Sequence, residues 1–224
     1  MDSSRTGDHR VRVAAERRDR MRSKLMEAAL VVFSSPDAEP KGIEHVIRHA
    51  GVSRGSFYNY FESVEELLKA VAVQVSDDLM DAVAPVVEAR ADAAERVSAG
   101  IRSWIALIEA NQFLAAFFRR AGLYVFEQNT RLREDLPRDL VAGMASGQFT
   151  IAEVELGFVL VAGTVLAAIN TLALGLPPPD YGKKLSQRIL MSLGVESHEA
   201  ERISEMAIPE AQFPKDSPVS RAAG

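Results

Sequence analysis

The side chains best suited to chemistry lie in one short run, Ser53-Arg54-Gly55-Ser56-Phe57-Tyr58-Asn59-Tyr60. It offers a guanidinium, four hydroxyls and an amide, but no carboxylate or imidazole to activate any of them. That set binds better than it reacts. Ser53 can cap a helix running through Tyr60, because a serine oxygen accepts from the orphan amides of the first turn. On such a helix Phe57 and Phe61 are four apart and both turn inward. Arg54, Ser56, Tyr58, Asn59 and Tyr60 are then left near the outer side. Gly55 carries no side chain and lets the backbone approach a partner. A helix N-terminus with hydroxyls binds phosphate, and an arginine at that end reaches the N7 and O6 acceptors of guanine. The run therefore suits the major groove of DNA.

Other chemistries have weaker support. His45 and His49 stand four apart, a metal-ligand spacing on a helix, but the chain has no cysteine and its other histidines are distant in sequence. A surface pair, or a histidine near phosphate, is the better reading. There is no glycine-rich phosphate loop, no G-x-S-x-G elbow and no zinc signature. The carboxylate pairs Glu65/Glu66 and Asp77/Asp78 read as solvated helix faces. No enzyme, cofactor or metal is expected.

The elements around this run are all helical in spacing. Met21, Leu25, Ala28, Ala29, Val32 and Phe33 make one apolar stripe on a helix that builds from Glu16 and stops at Ser34-Ser35-Pro36. Residues 1–12 are polar and predicted mobile. A short helix, Ile43 to Ala50, buries Val46, Ile47 and Ala50. Gly51 then permits a left-handed turn, and Val52 plugs the angle before Ser53. After Ser63 a longer helix carries Leu67, Leu68, Val71, Val75 and Leu79, and Pro85 should kink or end it. Asp92-Ala-Ala-Glu95 and Thr150-Ile-Ala-Glu153 read as capping boxes opening two further helices. Helices are also predicted around Phe113–Phe117, over Leu132–Ser146, about Tyr181–Leu193 and over Ser197–Ala207. The last dozen residues read as a tail. The fold class is all-α.

Charge is uneven. Residues 1–60 carry a net +3 and residues 61–224 a net −8, so only one end should meet a polyanion. With 47% hydrophobic and 25% charged residues the chain is neither disordered nor fibrous. No secretory signal is expected from its polar start, and the absence of cysteine is compatible with a reducing cytoplasm, the expected location. Leu156 to Leu176 holds no charge and is long enough to span a membrane, yet it contains three glycines, Thr164, Asn170 and Thr171 and has no flanking basic cluster. It reads instead as a central or interface helix of a helical bundle.

The stretch AGVSRGSFYNYFESVEELLKAV, preceded by MRSKLMEAALVVFSS, resembles the helix-turn-helix and flanking helices of the TetR family of bacterial transcriptional regulators. The resemblance covers roughly residues 16–75. It implies an all-α homodimer whose N-terminal domain binds a palindromic double-stranded operator. A larger C-terminal domain would hold a small-molecule effector and the dimer interface. Effector binding would move the DNA-binding domains apart and release DNA. The expected divisions are a basic flexible arm at 1–15, a DNA-binding domain at 16–62 continuing into a linking helix to about 84, an effector and dimerisation domain at 85–208, and a tail at 209–224. DNA contacts are expected from Arg17, Arg18, Ile43, Ser53, Arg54, Gly55, Ser56, Tyr58, Asn59 and Tyr60. Gly42 and Ile43 stand where members often carry threonine, and Val64 where many carry lysine. Together with Glu44 these weaken the phosphate contacts. The Arg-rich lead from Arg5 to Lys24 either compensates by following DNA or only keeps the chain soluble. The alternative to a ligand-responsive repressor is a helical ligand-binding or protein-interaction module whose DNA-binding half is degenerate.

For an effector expected to be largely apolar, the large side chains Trp104, Phe113, Phe117, Phe118, Tyr124, Phe126 and Met144 form the candidate wall as a set, although each taken singly is more often core than wall. Arg119, Asn129, Thr164 and Asn170 are candidate polar anchors. Val159, Gly163, Leu166, Leu185, Ile189 and Leu193 are the expected dimer seam.

Overall fold

The computed structural model describes residues 3–35, 42–122, 124, 130–175, 177–215 and 217–223. Among these residues there are helices and no strand. Helix α1 spans Ser3–Ser34, α2 Ile43–Ala50, α3 Arg54–Tyr58 and α4 Val64–Glu88. Then come α5, Ala93–Ala110, α6, Gln112–Ala121, and α7, Thr130–Ala145. Helix α8, Val154–Ala173, contains a π-helical turn at Val159–Gly163. Helices α9, Tyr181–Ser192, α10, Ser197–Glu205, and α11, Pro218–Ala223, complete the chain.

The apolar stripe of α1 does what its spacing demands. Leu25, Ala28, Ala29, Val32 and Phe33 are buried, against α2, α4 and α6. The helix nevertheless begins at Ser3, well before Glu16. No proline interrupts the polar lead, and its arginines, alanines and Glu16 are good helix formers, helped by the i,i+4 pair Arg12–Glu16 at 3.7 Å. The sequence of that extension carries no apolar stripe, so periodicity alone does not mark it.

Helices α4 and α5 lie side by side and carry most of the larger core. Pro85 sits inside α4, which ends one turn later with Ala89 N–H donating to the Pro85 carbonyl. Asp92 caps α5 through the Glu95 amide, as its sequence predicts. Thr150 does not cap α8. Glu153 holds that position without a side-chain bond, and Thr150 N–H donates instead to Leu193 O at 3.0 Å. Thr150 presses so closely on Gly194, at φ 98°, that a Cβ there would lie 1.9 Å from its hydroxyl oxygen. A tertiary contact has displaced a local one.

The C-terminal end is not a free tail. Helix α11 packs against α1 and α4, and Val219 is fully buried. It also covers Asp78, which is 5% exposed rather than solvated.

Candidate nucleic-acid interface and effector cavity

The turn between α2 and α3 is built by local chemistry. Gly51 adopts φ 62°, ψ 41°, and its N–H donates to the carbonyls of Arg48 and Ile47. Ser53 Oγ accepts from Ser56 N–H at 3.1 Å and lies 2.9 Å from Ser56 Oγ. Phe57 and Phe61 are buried, with ring centroids 6.1 Å apart. Their burial fixes the rotation of α3. Ser53, Arg54, Gly55, Tyr58 and Asn59 are exposed on its other side, while Ser56 and Tyr60 are half-buried.

Glu44 of α2 crosses to this face. Its Oε1 is 2.9 Å from Arg54 Nη1, with both side chains well exposed. Tyr58 also lies under the Arg54 guanidinium, 5.9 Å from ring centroid to Cζ. The Tyr58 side chain and then Glu44 hold that guanidinium above its already high ordinary value, so it stays charged. The arginine expected to read bases is thus paired with an acid that DNA phosphates would repel.

Ile43 is half-buried and packs on the core, so only part of it faces outward. His45 Nδ1 accepts from Gly42 N–H at 3.3 Å and caps α2. No cluster of three metal-ligating side chains occurs among the described residues. Ser63 Oγ accepts from Glu66 N–H at 3.0 Å while Glu66 accepts from Glu62 N–H. This reciprocal cap, spelled out by Ser63-Val-Glu-Glu66, went unread in the sequence. Arg22 stacks over Phe61 at 5.3 Å, so the extension carrying exposed Arg17 and Arg18 leaves the fold beside the end of the α3 turn.

A second concavity lies between α4, α5, α7 and the π-turn of α8. Its volume is about 110 Å³. Met80, Val83 and Val87 come from α4, Val97, Ile101 and Trp104 from α5, Leu132 and Leu136 from α7, and Val161, Ala162 and Val165 from α8. One edge is charged. Arg96 Nε lies 2.8 Å from Asp139 Oδ1, and Asp139 is 8% exposed in its side chain. The π-turn supplies one wall, a placement common for such local distortions at binding sites.

Among the described side chains expected to line a pocket, Trp104 lines this cavity. Phe117 and Phe118 are fully buried core, in contact with each other and, through Phe118, with Trp104. Phe113 and Met144 pack partly buried on the same core. Tyr124 instead donates to Glu65 Oε1 at 2.9 Å, next to Lys69. Lys69 first, then Tyr124, hold Glu65 below the usual carboxylate range. Asn170 is exposed and, with Phe118 and Arg119, lines a separate concavity of about 320 Å³. Phe126 and Asn129 lie outside the described residues.

The outer face of α8 shows Leu156, Val159, Gly163, Ala167, Asn170 and Leu174, a stripe at helical spacing. Leu156, Val159 and Leu174 are 49%, 62% and 54% exposed. Leu166 and Leu185 are half-buried. Ile189 and Leu193 are not available to a partner, being 2% and 0% exposed. The apolar stripe of α9 faces α5 in its own protomer.

Residues 25–71 match the family described as bacterial regulatory proteins, tetR family, and residues 92–206 match the tetracyclin repressor-like C-terminal domain. The HTH-type transcriptional repressor KstR2 of Rhodococcus jostii is 24% identical over 159 residues, 66% of this chain and 78% of that protein. The structure of RolR in complex with resorcinol superimposes with a TM-score of 0.73 at 27% identity, covering 88% of this chain and 100% of the other. Bacillus subtilis FadR bound to stearoyl-CoA shares the fold, with a TM-score of 0.60 at 20% identity over 78% of this chain and 97% of its own.

Proposed function

Because the chain belongs to the tetR family of bacterial regulatory proteins, we propose that it is a repressor that binds a palindromic operator as a homodimer and releases it when a small molecule enters the α4–α5–α7–α8 cavity. The observation that carries this reading is the rotation of α3: Phe57 is buried while Arg54, Tyr58 and Asn59 face solvent. Arg54 reads bases, Tyr58 and the Ser53 cap hold phosphate, and Tyr60 acts only at the edge. Arg17 and Arg18 follow the backbone flanking the site. The degenerate-module alternative has less support, because the three features that build a helix-turn-helix are all intact here: the left-handed Gly51, the Ser53 cap and the buried Phe57.

The dimer forms through the exposed stripe of α8, with Val159 and Gly163 at its centre and the half-buried Leu166 and Leu185 at its margin. A two-fold axis there would present two copies of α3 to successive major grooves. The protein would act in the cytoplasm, where its operator is.

The effector class follows from the cavity. An engineered cavity of about 150 Å³ binds benzene, so a space of about 110 Å³ suits one small ring after slight expansion better than a long acyl chain. Its walls are apolar, and Arg96 and Asp139 at the edge offer a donor and an acceptor to a hydroxyl. A monocyclic phenol or diol fits these demands. RolR, bound to resorcinol, supports this class. Selection of duplexes from a random pool, followed by release with phenol, resorcinol or stearoyl-CoA, tests the reading. Selection should yield a palindrome, and only the ring compounds should release it. Failure to enrich any sequence would overturn the repressor reading, and release by stearoyl-CoA alone would overturn the effector class.

A further inference from the structure

The C-terminal segment beyond α10 is anchored at both ends to different parts of the molecule. At its start, Arg102 Nη1 donates to Met206 O at 2.7 Å and Arg90 Nη2 to Ala207 O at 3.1 Å. Arg102 belongs to α5 and Arg90 to the turn between α4 and α5. At its far end, Ser217 Oγ caps α11 through the Ser220 amide at 3.0 Å. Val219, fully buried, enters the angle between α1 and α4, and its N–H donates to Asp78 Oδ2 at 3.3 Å. Arg221 pairs with Glu27 of α1 at 2.7 Å. Asp78 is held on its other oxygen by Gln74 at 3.0 Å.

We infer that this segment is a strap that keeps α1 of the DNA-binding half seated on the linking helix α4, so that operator affinity depends on its being docked. The inference rests on the operator-binding reading above. Helix α4 carries the strap on the side of Asp78 and the cavity on the opposite side, at Met80, Val83 and Val87. A displacement of α4 by an effector therefore carries α1, and with it α3, as one body. Without the strap only the apolar stripe of α1 holds it to α4 and α6, the coupling to α4 loosens, and the two copies of α3 lose their fixed spacing. A carboxylate buried against a backbone amide would be a costly arrangement for a passive tail, since it forfeits hydration that a free end keeps.

Two full-length variants test this. Val219→Asp places a second carboxylate beside Asp78 and should expel α11. Hydrogen exchange should then quicken at least about ten-fold over residues 25–33 and 72–83, with α7 unchanged, and affinity for a duplex selected by the wild type should fall about ten-fold. Fast exchange over residues 217–223 with unchanged α1, α4 and operator affinity would overturn the strap. If Val219→Asp loses protection in every helix, the exposed ion pair decides. Arg221→Glu should weaken operator binding by about three-fold, and adding Glu27→Arg should restore it. A double variant no better than the single one overturns the inference. If the wild type selects no duplex, the operator reading fails, and the exchange data alone decide whether the strap seats α1 on α4.

Discussion

Gly100 offers the most direct test of the cavity. It lies within α5, lines the cavity, and adopts an ordinary helical backbone. A Cβ added there would meet Val87 Cγ2 at 3.6 Å, an ordinary van der Waals contact, with nothing nearer. Gly100→Ala therefore needs no rearrangement. Replacing glycine by alanine inside a helix stabilises by about 1 kcal/mol, because the unfolded chain loses freedom it would otherwise regain. The new methyl adds a little burial against Val87. For a chain of this length about 1 kcal/mol raises Tm by roughly 2–4 °C. The same methyl takes room from a cavity of only about 110 Å³, so a ring-sized effector should bind several-fold more weakly. Gly100→Leu should abolish effector binding while leaving operator binding in place. Calorimetry without ligand and titration with resorcinol check both halves. A lowered Tm for Gly100→Ala would refute the packing argument. A raised Tm with unchanged effector affinity in both variants would refute the cavity as the effector site.

Other outcomes follow from the same geometry. Val159→Asp should convert a dimer to monomers by light scattering and weaken operator binding, whereas Ile189→Asp should unfold the protomer, because Ile189 is interior. Arg54→Ala should flatten the base preference in a selection experiment, while Tyr58→Phe should lower affinity for all sequences alike. Glu44→Gln should tighten operator binding and steepen its salt dependence, since the acid that holds Arg54 at 2.9 Å is gone; unchanged affinity would show that Arg54 makes no DNA contact. Burial first of all pushes the Asp78 carboxyl up, against the pull of Gln74 and Val219 N–H. A raised folded pKa contributes stability that is fully present below the unfolded value, about 4, and is lost as pH rises through the folded value. Asp78→Asn should accordingly raise the urea midpoint at pH 7 and leave it unchanged near pH 3; an equal gain at both would refute the assignment.

The DNA-facing helix was legible in the sequence because everything that builds it is local. Gly51, Ser53, Phe57 and Phe61 set a turn, a cap and a rotation within a dozen residues, and no distant contact competes. The Asp92 cap is legible for the same reason. Where a distant partner intervened, the local signal lost. Thr150 had the composition of a cap and was taken by Leu193 and Gly194. The apolar stripe of α9 was plain in its spacing, but spacing cannot say whether an apolar face meets its own protomer or another. Packing on α5 decided that for Ile189 and Leu193, and left the outward face to Val159 and its neighbours on α8. Large aromatics marked the core rather than the cavity, because a cavity is space that side chains leave unfilled; only the joint placement of α4, α5, α7 and α8 creates it. Asp78 and Val219, far apart in a chain that gives no hint of pairing them, meet because α11 returns to the angle between α1 and α4. Whether a carboxylate is solvated depends on what folds over it, and that only the tertiary structure decides.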